Sequence, residues 1–221
     1  EKVYGDVFLR RWDPWSEEIT KVDFPALPNP CCYGWAAVVG SLVYLVGGQS
    51  GLGLDSAHAE VWVLDLGLRD NPEEFVWRQQ DDFPGGPRIL HAVVAQYSRG
   101  EKCLYLMGGR REEEGKVAFL TDTWMHNRMG KWSKRADMPR AAAAAPAVAV
   151  ERDSIYLLVG DEGTHFDQTN ELRDKHPGFS REALVYITVE DRWESAGEMP
   201  VSQLATNAVI WDGKMVVASG E

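Results

Sequence analysis

Arg88 and Arg140 occupy the same local setting in the sequence, directly after a proline and ahead of small and apolar residues. A guanidinium group can hold a carboxylate through parallel hydrogen bonds, so arginines in matching positions could bind an anionic ligand. The alternative is a structural ion pair with one of the many carboxylates of the chain. The spacing alone leaves both interpretations open.

Glu221 is a candidate of a different kind because of where it stands. It follows an apolar run and a glycine, residues 215–220, at a point where comparable runs are followed by a second glycine or an aspartate. A carboxyl group with a raised pKa at the end of a strand can act as a general base. A single glutamate is not a motif, so its position is the only local argument for it.

The segment 161–181 combines histidines and carboxylates, the residue types that metals select: Asp161, Glu162, His165, Asp167 and His176. Their spacing does not match a known metal site. It lacks the alternating ligands and the final glutamate of an EF-hand loop, and the two histidines do not have the spacing of a zinc site. We therefore predict no metal and no cofactor. A loop of this length favours a functional or channel-covering role.

Composition excludes several classes of function. The 221-residue chain has 23 basic and 34 acidic side chains, a formal net charge of -11 and an isoelectric point near 5.0. A negative mean field repels polyanions, so we predict neither nucleic acid nor an anionic membrane as partner. No apolar run approaches the roughly 20 residues that span a bilayer. The three cysteines lack zinc-site spacing and do not form a disulfide framework.

An internal repeat organises the chain. A tryptophan is followed seven residues later by a proline that has an apolar residue before it, at Trp77 and Pro84, Trp132 and Pro139, and Trp193 and Pro200. A weaker copy ends at Pro28. Between 20 and 25 residues after each of these four prolines, an apolar run ends in glycine. Anchors at such constant offsets indicate a structural unit.

A repeat of this length built from short strands is typical of a β-propeller with four strands in each blade. An inner strand follows the proline, a second ends at the glycines, a third carries an aromatic residue, and an outer strand carries the tryptophan. The prediction is one all-β domain, 1–221, with partial blades at both ends. The predicted units are 1–28, 29–84, 85–139, 140–200 and 201–221.

Residues 141–145, five consecutive alanines, test this interpretation because alanine is the best helix former. Pro146 follows at once, removes a backbone donor and disfavours the helical conformation at Ala145. Beyond it, small and β-branched residues alternate. We therefore predict an inner strand here instead of a helix.

The number of predicted strands is compatible with two architectures. Two strands, three blades of four strands and two further strands make sixteen, enough for four closed blades or for part of a larger propeller. We favour the fragment, because the chain stops at Glu221 with no turn or residue after its last strand. Strand alternation then places the segments 48–60, 109–120 and 160–181 on one face, together with the proline-containing turns, and we expect a site there.

Three stretches of the sequence resemble a known family. They are Met138 to Pro146, Asn170 through the HPGFSR stretch at 176–181, and Gly197 to Pro200 leading to the terminal Ser219-Gly220-Glu221. The glycine-ended strands and spaced tryptophans are similar to kelch repeats in general. The HPGFSR and SGE stretches are similar, more specifically, to the cyclically permuted mutarotases related to N-acetylneuraminate epimerase. The resemblance covers most of residues 36–221.

This resemblance implies a six-bladed kelch-type β-propeller, of which the chain supplies about four blades' worth of strands. It also implies an isomerase that interconverts anomers of sialic acid or a related acidic sugar without a cofactor. In the family a Gly-Glu pair, whose glutamate is the general base, precedes Pro-Gly and an arginine. Gly220-Glu221 matches the first half, so the implied base is Glu221. The arginine would lie beyond the last residue, and this chain alone would be inactive.

The implied ligand is a small acidic sugar, whose carboxylate needs a local positive charge in an acidic protein. Arg88, Arg140 and Arg181 are the predicted substrate-binding residues. The resemblance implies a periplasmic or secreted protein, while the sequence leaves the cytoplasm open and does not determine an oligomeric state.

The alternative function is a non-catalytic kelch propeller that serves as a protein-interaction scaffold, since fold does not decide function. Glu221 at a strand end and the long loop 161–181 favour the enzyme. A copper-radical oxidase is disfavoured, because Cys103 lies inside an apolar run with no ligand arrangement around it.

Overall fold

The computed structural model describes residues 2–218 and 220. Eighteen strands lie in the described residues, and helical structure there is confined to short turns. The first ten strands are β1 (Val7–Trp12), β2 (Ile19–Phe24), β3 (Trp35–Val39), β4 (Leu42–Val46), β5 (Val61–Asp65), β6 (Arg78–Gln80), β7 (Ala92–Ser98), β8 (Glu101–Met107), β9 (Arg110–Glu113) and β10 (Lys116–Phe119). The others are β11 (Thr123–His126), β12 (Trp132–Arg135), β13 (Ala147–Val150), β14 (Ser154–Leu158), β15 (Glu182–Ile187), β16 (Arg192–Glu198), β17 (Ala208–Trp211) and β18 (Lys214–Val217).

Short helical turns lie in the loops between strands. The single α-helix of the described residues, α1, is Thr169–Leu172, and 3-10 turns span Leu54–Ser56, Leu66–Leu68, Phe166–Gln168 and Arg173–Lys175. No helix in residues 2–218 has the length and apolar character needed to cross a lipid bilayer.

Three four-stranded antiparallel sheets make up most of the fold. Their strand orders are β3-β4-β5-β6, β7-β8-β11-β12 and β13-β14-β15-β16. The hairpin β1-β2 precedes them, the hairpin β17-β18 follows them, and the hairpin β9-β10 is inserted between the second and third strands of the middle sheet. The predicted all-β class, with four strands in each blade, is confirmed. The blade boundaries given from the sequence stay a prediction.

The sheets are arranged side by side, with their first strands next to one another. Strand β3 packs on β7, β7 on β13, and β13 on β17, so the inner strands follow one another around a common axis. The second strand of the middle sheet, β8, is buried on consecutive residues from 103 to 107, because it lies between the first and third sheets. Tyr105 of β8 and Tyr186 of β15, both fully buried, meet edge to face between the middle and third sheets.

The repeated tryptophans tie each blade to the preceding unit. The indole Nε1 of Trp77 donates to the carbonyl of Pro25 at 2.9 Å, and that of Trp193 donates to the carbonyl of Ala136 at 3.0 Å. Trp132 instead packs against Phe83 of the previous blade, with ring centroids 6.0 Å apart. An indole combines a large apolar face with one donor, which suits this boundary position. The constant Trp-Pro spacing therefore records a contact between blades.

The alanine run is not helical, but the strand begins later than the run itself. Strand β13 starts at Ala147, whereas Ala143 forms an isolated bridge with Asp161 and Ala144 has a φ of 54°. The amides of both alanines donate to carbonyls of other segments, at Asp161 and Leu90. These long-range bonds replace the local bonds that a helix would make.

Candidate functional site

Four residues with left-handed backbone conformation encircle the axis on the loop-bearing face. They are Tyr33, Leu90, Ala144 and Ala205, with φ angles of 56°, 55°, 54° and 54°. The amides of the last three each donate to the carbonyl of the preceding residue in this series, Leu90 to Tyr33 at 3.0 Å, Ala144 to Leu90 at 2.7 Å and Ala205 to Ala144 at 3.0 Å. We call these residues the axial ring. It links successive blades by backbone hydrogen bonds, so its geometry does not depend on side-chain identity.

The residue before each ring position pairs with the segment that leaves the second strand. Isolated antiparallel bridges join Cys32 with Gln49, Ile89 with Arg110, and Ala143 with Asp161. Gln49, Arg110 and Asp161 therefore occupy equivalent positions in three successive blades, and all three line the mouth of the axis. We call them the rim residues.

The glycines that end the second strands make this approach possible. A Cβ on Gly109 would lie 2.7 Å from the carbonyl oxygen of Ile89, and one on Gly48 would lie 2.9 Å from that of Cys32. Both are closer than real Cβ contacts allow, and both residues have positive φ. The glycine punctuation of the repeat thus brings the rim residue that follows it to the mouth.

The mouth is a cavity of about 460 Å³ on the loop-bearing side of the axial ring. Its rim carries Arg110, Asp161 and Gln49, and Phe166 and Phe179 contribute aromatic walls. This volume lies in the range of about 300–1,000 Å³ that is usual for small-molecule sites. A second cavity of about 420 Å³ lies on the other side of the ring, between the inner strands. The first cavity has the charged groups and is the candidate site.

Arg110 is the cation of the mouth. Its guanidinium lies over the Phe166 ring, 5.1 Å from the centroid, and its Nε is buried with no hydrogen-bond partner among the described residues. Burial lowers the pKa of Arg110, and the nearby charge of Asp161 opposes that shift. Gln49, also buried, donates through Nε2 to the carbonyl of Gly51, while its Oε1 has no partner in residues 2–218. Arg110 and Gln49 thus line one cavity, and each has one buried polar atom with no hydrogen-bond partner among the described residues.

Two inserted segments build the wall beside Arg110. Phe119 at the end of β10 meets Phe166 edge to face at 5.4 Å between centroids. Gly163 lies against the same ring, since a Cβ there would come within 2.3 Å of Phe119. In the same segment, His165 and His176 meet edge to face at 5.6 Å, and Nδ1 of His176 accepts from the amide of Gly178. The loop 161–181 therefore lies at the mouth and packs on the β9-β10 hairpin.

Arg88 does not reach the mouth. Its side chain has no exposed surface and forms two hydrogen bonds with Asp122, Nη1 to Oδ1 at 2.6 Å and Nη2 to Oδ2 at 2.7 Å. Carbonyls of Gly85, Gly86 and Gly108 accept its other hydrogen bonds. Burial alone would raise the pKa of Asp122, but the hydrogen bonds and charge of Arg88 outweigh it and the pKa is lowered. Arg88 therefore forms a structural ion pair, the second of the two interpretations that its sequence position left open.

Arg140 and Arg181 are also held elsewhere. Arg140 donates through Nη2 to the carbonyls of Val159 and Glu182, and its Nε lies 3.6 Å from the Glu182 carboxylate. Arg181 is exposed and donates through Nε to the carbonyl of Met199. None of the three predicted arginines lines the mouth, and the structure does not bring them together. Their substrate-binding role stays a prediction that no contact at the mouth supports.

Glu221, the predicted base, lies outside the described residues. Among residues 2–218 and 220, no three histidine, cysteine, aspartate or glutamate side chains come together in an arrangement that could hold a metal ion.

Sequence reasoning missed Arg110 and Gln49. Both follow a glycine pair that ends a second strand, at the offset at which Asp161 follows Val159-Gly160. Aligning the residues after the glycines, in addition to the glycines themselves, would have shown three polar side chains at one position of the repeat.

No protein-family model matches the chain. Among curated proteins, it is 26% identical to the N-acetylneuraminate epimerases of Haemophilus influenzae strains 86-028NP and PittEE, over 90% of this chain and 55% of theirs. It is 24% identical to the N-acetylneuraminate epimerase of Yersinia enterocolitica serotype O:8, over 90% of this chain and 54% of that one. The chain is distantly similar to N-acetylneuraminate epimerases. It spans about half the length of these relatives.

Among solved structures, YjhT superposes with a TM-score of 0.69 at 22% identity, over 90% of this chain and 60% of that one. At this identity the likeness supports the fold alone. The predicted kelch-type propeller is thereby confirmed, and the chain forms a partial propeller. The number of blades in the whole protein, six by resemblance, stays a prediction. The curated relatives are isomerases by name.

Proposed function

We propose that the mouth binds an acidic sugar of the sialic acid class and that the full-length protein interconverts its anomers, with Glu221 as the general base. The activity named for the curated relatives supports the reaction class. The observation that carries the proposal is the repeated rim position, which collects polar side chains around one cavity of suitable volume.

The strand register of the last hairpin supports the position of Glu221. In β17-β18, Ala208 pairs with Val217, and we expect this antiparallel register to continue, with Leu204 as the partner of residue 221. Ile89 faces Arg110 in the same relation. The described glycine before residue 221 fits the pattern, because a Cβ on Gly220 would lie 2.7 Å from the carbonyl of Leu204, the separation found for Gly109 and Ile89. Glu221 would then be the fourth rim residue.

The chemistry needs few groups. The base takes the proton from the anomeric hydroxyl, the bond between the anomeric carbon and the ring oxygen breaks, and the ring oxygen takes a proton from water or from a second acid. In the resulting open-chain ketone, rotation about the bond next to the carbonyl carbon presents the other face of the carbonyl to the hydroxyl. The reverse steps then close the ring with the opposite anomeric configuration. General base catalysis by a positioned carboxylate typically contributes about 10²- to 10⁴-fold. No redox step or cofactor is required for this exchange.

Anomer exchange in freshly released N-acetylneuraminate, followed by proton NMR with full-length protein added, tests the proposal. We expect acceleration by the wild type and a loss of about a hundredfold or more in Glu221→Gln. Glu198→Gln is the matched control, since Glu198 is an exposed carboxylate 3.8 Å from Arg181 and away from the mouth. Exchange unchanged in Glu221→Gln would overturn the assigned base. No acceleration with several acidic sugars would favour the scaffold function.

A further inference from the structure

Arg110 differs from Arg88 and Arg140 in that its side chain has no hydrogen-bond acceptor within residues 2–218. Arg88 donates to one carboxylate and three carbonyls, and Arg140 donates to three carbonyls. Arg110 makes no side-chain hydrogen bond and no ion pair with any residue in 2–218 or with Gly220, although its Nε is buried. A partly desolvated cation without a partner is costly, so such a group is expected where a ligand supplies the partner.

The surroundings fix the orientation of this guanidinium. Phe166 lies under one face at 5.1 Å, and Phe119 holds the Phe166 ring edge to face. An aromatic ring under the face leaves the edge of the guanidinium, with its N–H groups, free to bind. The neighbouring carboxylate of Asp161 is directed elsewhere, because its Oδ1 accepts from the amide of Gly163 at 2.8 Å. Arg110 thus lines the cavity with its guanidinium held over Phe166 and without an ion pair to Asp161 among the described contacts.

We infer that Arg110 is the carboxylate-binding residue of the mouth and sets its preference for acidic over neutral ligands. With the proposed function, on which this part rests, the carboxylate is that of the sugar.

The charge balance of the mouth favours a carboxylate over a phosphate. Arg110 is the one cation and Asp161 the one anion among the described residues that line it. A single guanidinium matches one negative charge bidentately, whereas a dianion would meet the field of Asp161 with half its charge uncompensated. The overall charge of -11 adds to that penalty.

The experiment compares N-acetylneuraminate with its methyl ester, which lacks the charge, by NMR titration of the full-length protein. We expect the wild type to bind the acid about ten- to a hundredfold more tightly than the ester, since hydrogen bonds to charged groups are worth that much. Arg110→Gln should bind both equally. Arg110→Lys should keep part of the preference for the acid over the ester. It replaces Arg110→Gln in the comparison if the glutamine variant does not fold.

Arg111→Gln is the matched control, because Arg111 donates to the carbonyl of Gly85 and pairs with Glu113, away from the mouth. It should keep the full preference. If Arg110→Gln also keeps it, the inference is wrong while the proposed function stands. A second titration uses propionate, a simple carboxylate, and follows the NMR signal of the Arg110 Nε–H group, which is identified by its loss in Arg110→Lys. This titration tests the carboxylate site independently of sugar binding. If neither sugar binds but propionate moves this signal, the carboxylate site stands and the proposed function fails. If propionate does not move it either, the inference fails as well.

Discussion

The amide of Ala144 donates a 2.7 Å hydrogen bond to the carbonyl of Leu90, and both residues have left-handed backbone conformation. The bond crosses from one blade to the next and is repeated by Ala205 on Ala144. Non-glycine residues enter this conformation at a cost of roughly 1–2 kcal/mol. Its recurrence at one position of successive blades indicates that the cross-blade hydrogen bonds offset that cost. The ring thereby gives the mouth a floor made of backbone.

Substitutions at Ala205 test the conformational cost without disturbing a packed side chain, because Ala205 is exposed. We expect Ala205→Gly to raise the free energy of unfolding by up to about 1 kcal/mol, and Ala205→Val to lower it by about 1 kcal/mol. At Ala144, which is buried, the glycine gain should be smaller because a methyl contact is lost. Urea unfolding measures all of these. Equal effects of glycine and valine at Ala205 would contradict the assignment.

Arg88 should behave as a structural residue. Removing it leaves Asp122 partly buried and unpaired, so Arg88→Met should cost roughly 3–5 kcal/mol of unfolding free energy. Arg181→Met, at an exposed arginine, should cost less than about 0.5 kcal/mol. Chemical denaturation of both variants provides the comparison. A fully stable Arg88→Met protein that had lost only sugar binding would instead support the role predicted from the sequence.

The two arginine settings show what sequence patterns can and cannot give. The tryptophan, proline and glycine anchors predicted the sheets because each acts through backbone conformation or through a contact that recurs once per repeat. The sequence predicts Arg88 at the channel because it follows a proline at the start of an inner strand. The orientation of its side chain is instead set by Asp122, which lies 34 residues away and is not part of the repeat pattern. Arg110 was missed because its significance depends on Phe166, from a different blade.

The buried His91 makes stability depend on pH. Its Nε2 lies 2.9 Å from the carbonyl of Val46, and burial lowers its pKa to about 3. Between that value and the ordinary pKa near 6.5, the unfolded chain binds a proton that the folded chain does not. The unfolding free energy should therefore fall as the pH falls through this window, by up to about 1.4 kcal/mol per pH unit from this group.

His91→Gln removes this titration while keeping a donor for the Val46 carbonyl. The stability difference between wild type and variant should consequently shrink as the pH is lowered from 7 towards 4, as measured by urea unfolding across that range. Leu104→Val, a buried and non-titrating change in the core beside β3, controls for packing damage and should cost the same at each pH. Parallel pH curves for wild type and His91→Gln would show that His91 does not carry the effect.

The Phe119 and Phe166 pair should affect binding and not the chemical step. Phe166→Leu removes the ring that holds the Arg110 guanidinium in place, and the cost of ordering a freer side chain on binding, about 0.5–1.5 kcal/mol, should raise the Kd for N-acetylneuraminate by roughly 2- to 10-fold. The rate of anomer exchange at saturating sugar should change little, because Phe166 supplies no proton. The chain contains a matched control in Phe24 and Phe75, an edge-to-face pair at the same 5.4 Å but in no contact with the mouth. Phe75→Leu should leave the Kd unchanged, and a drop in saturated rate without a change in Kd for Phe166→Leu would place this ring in the chemistry instead of in binding.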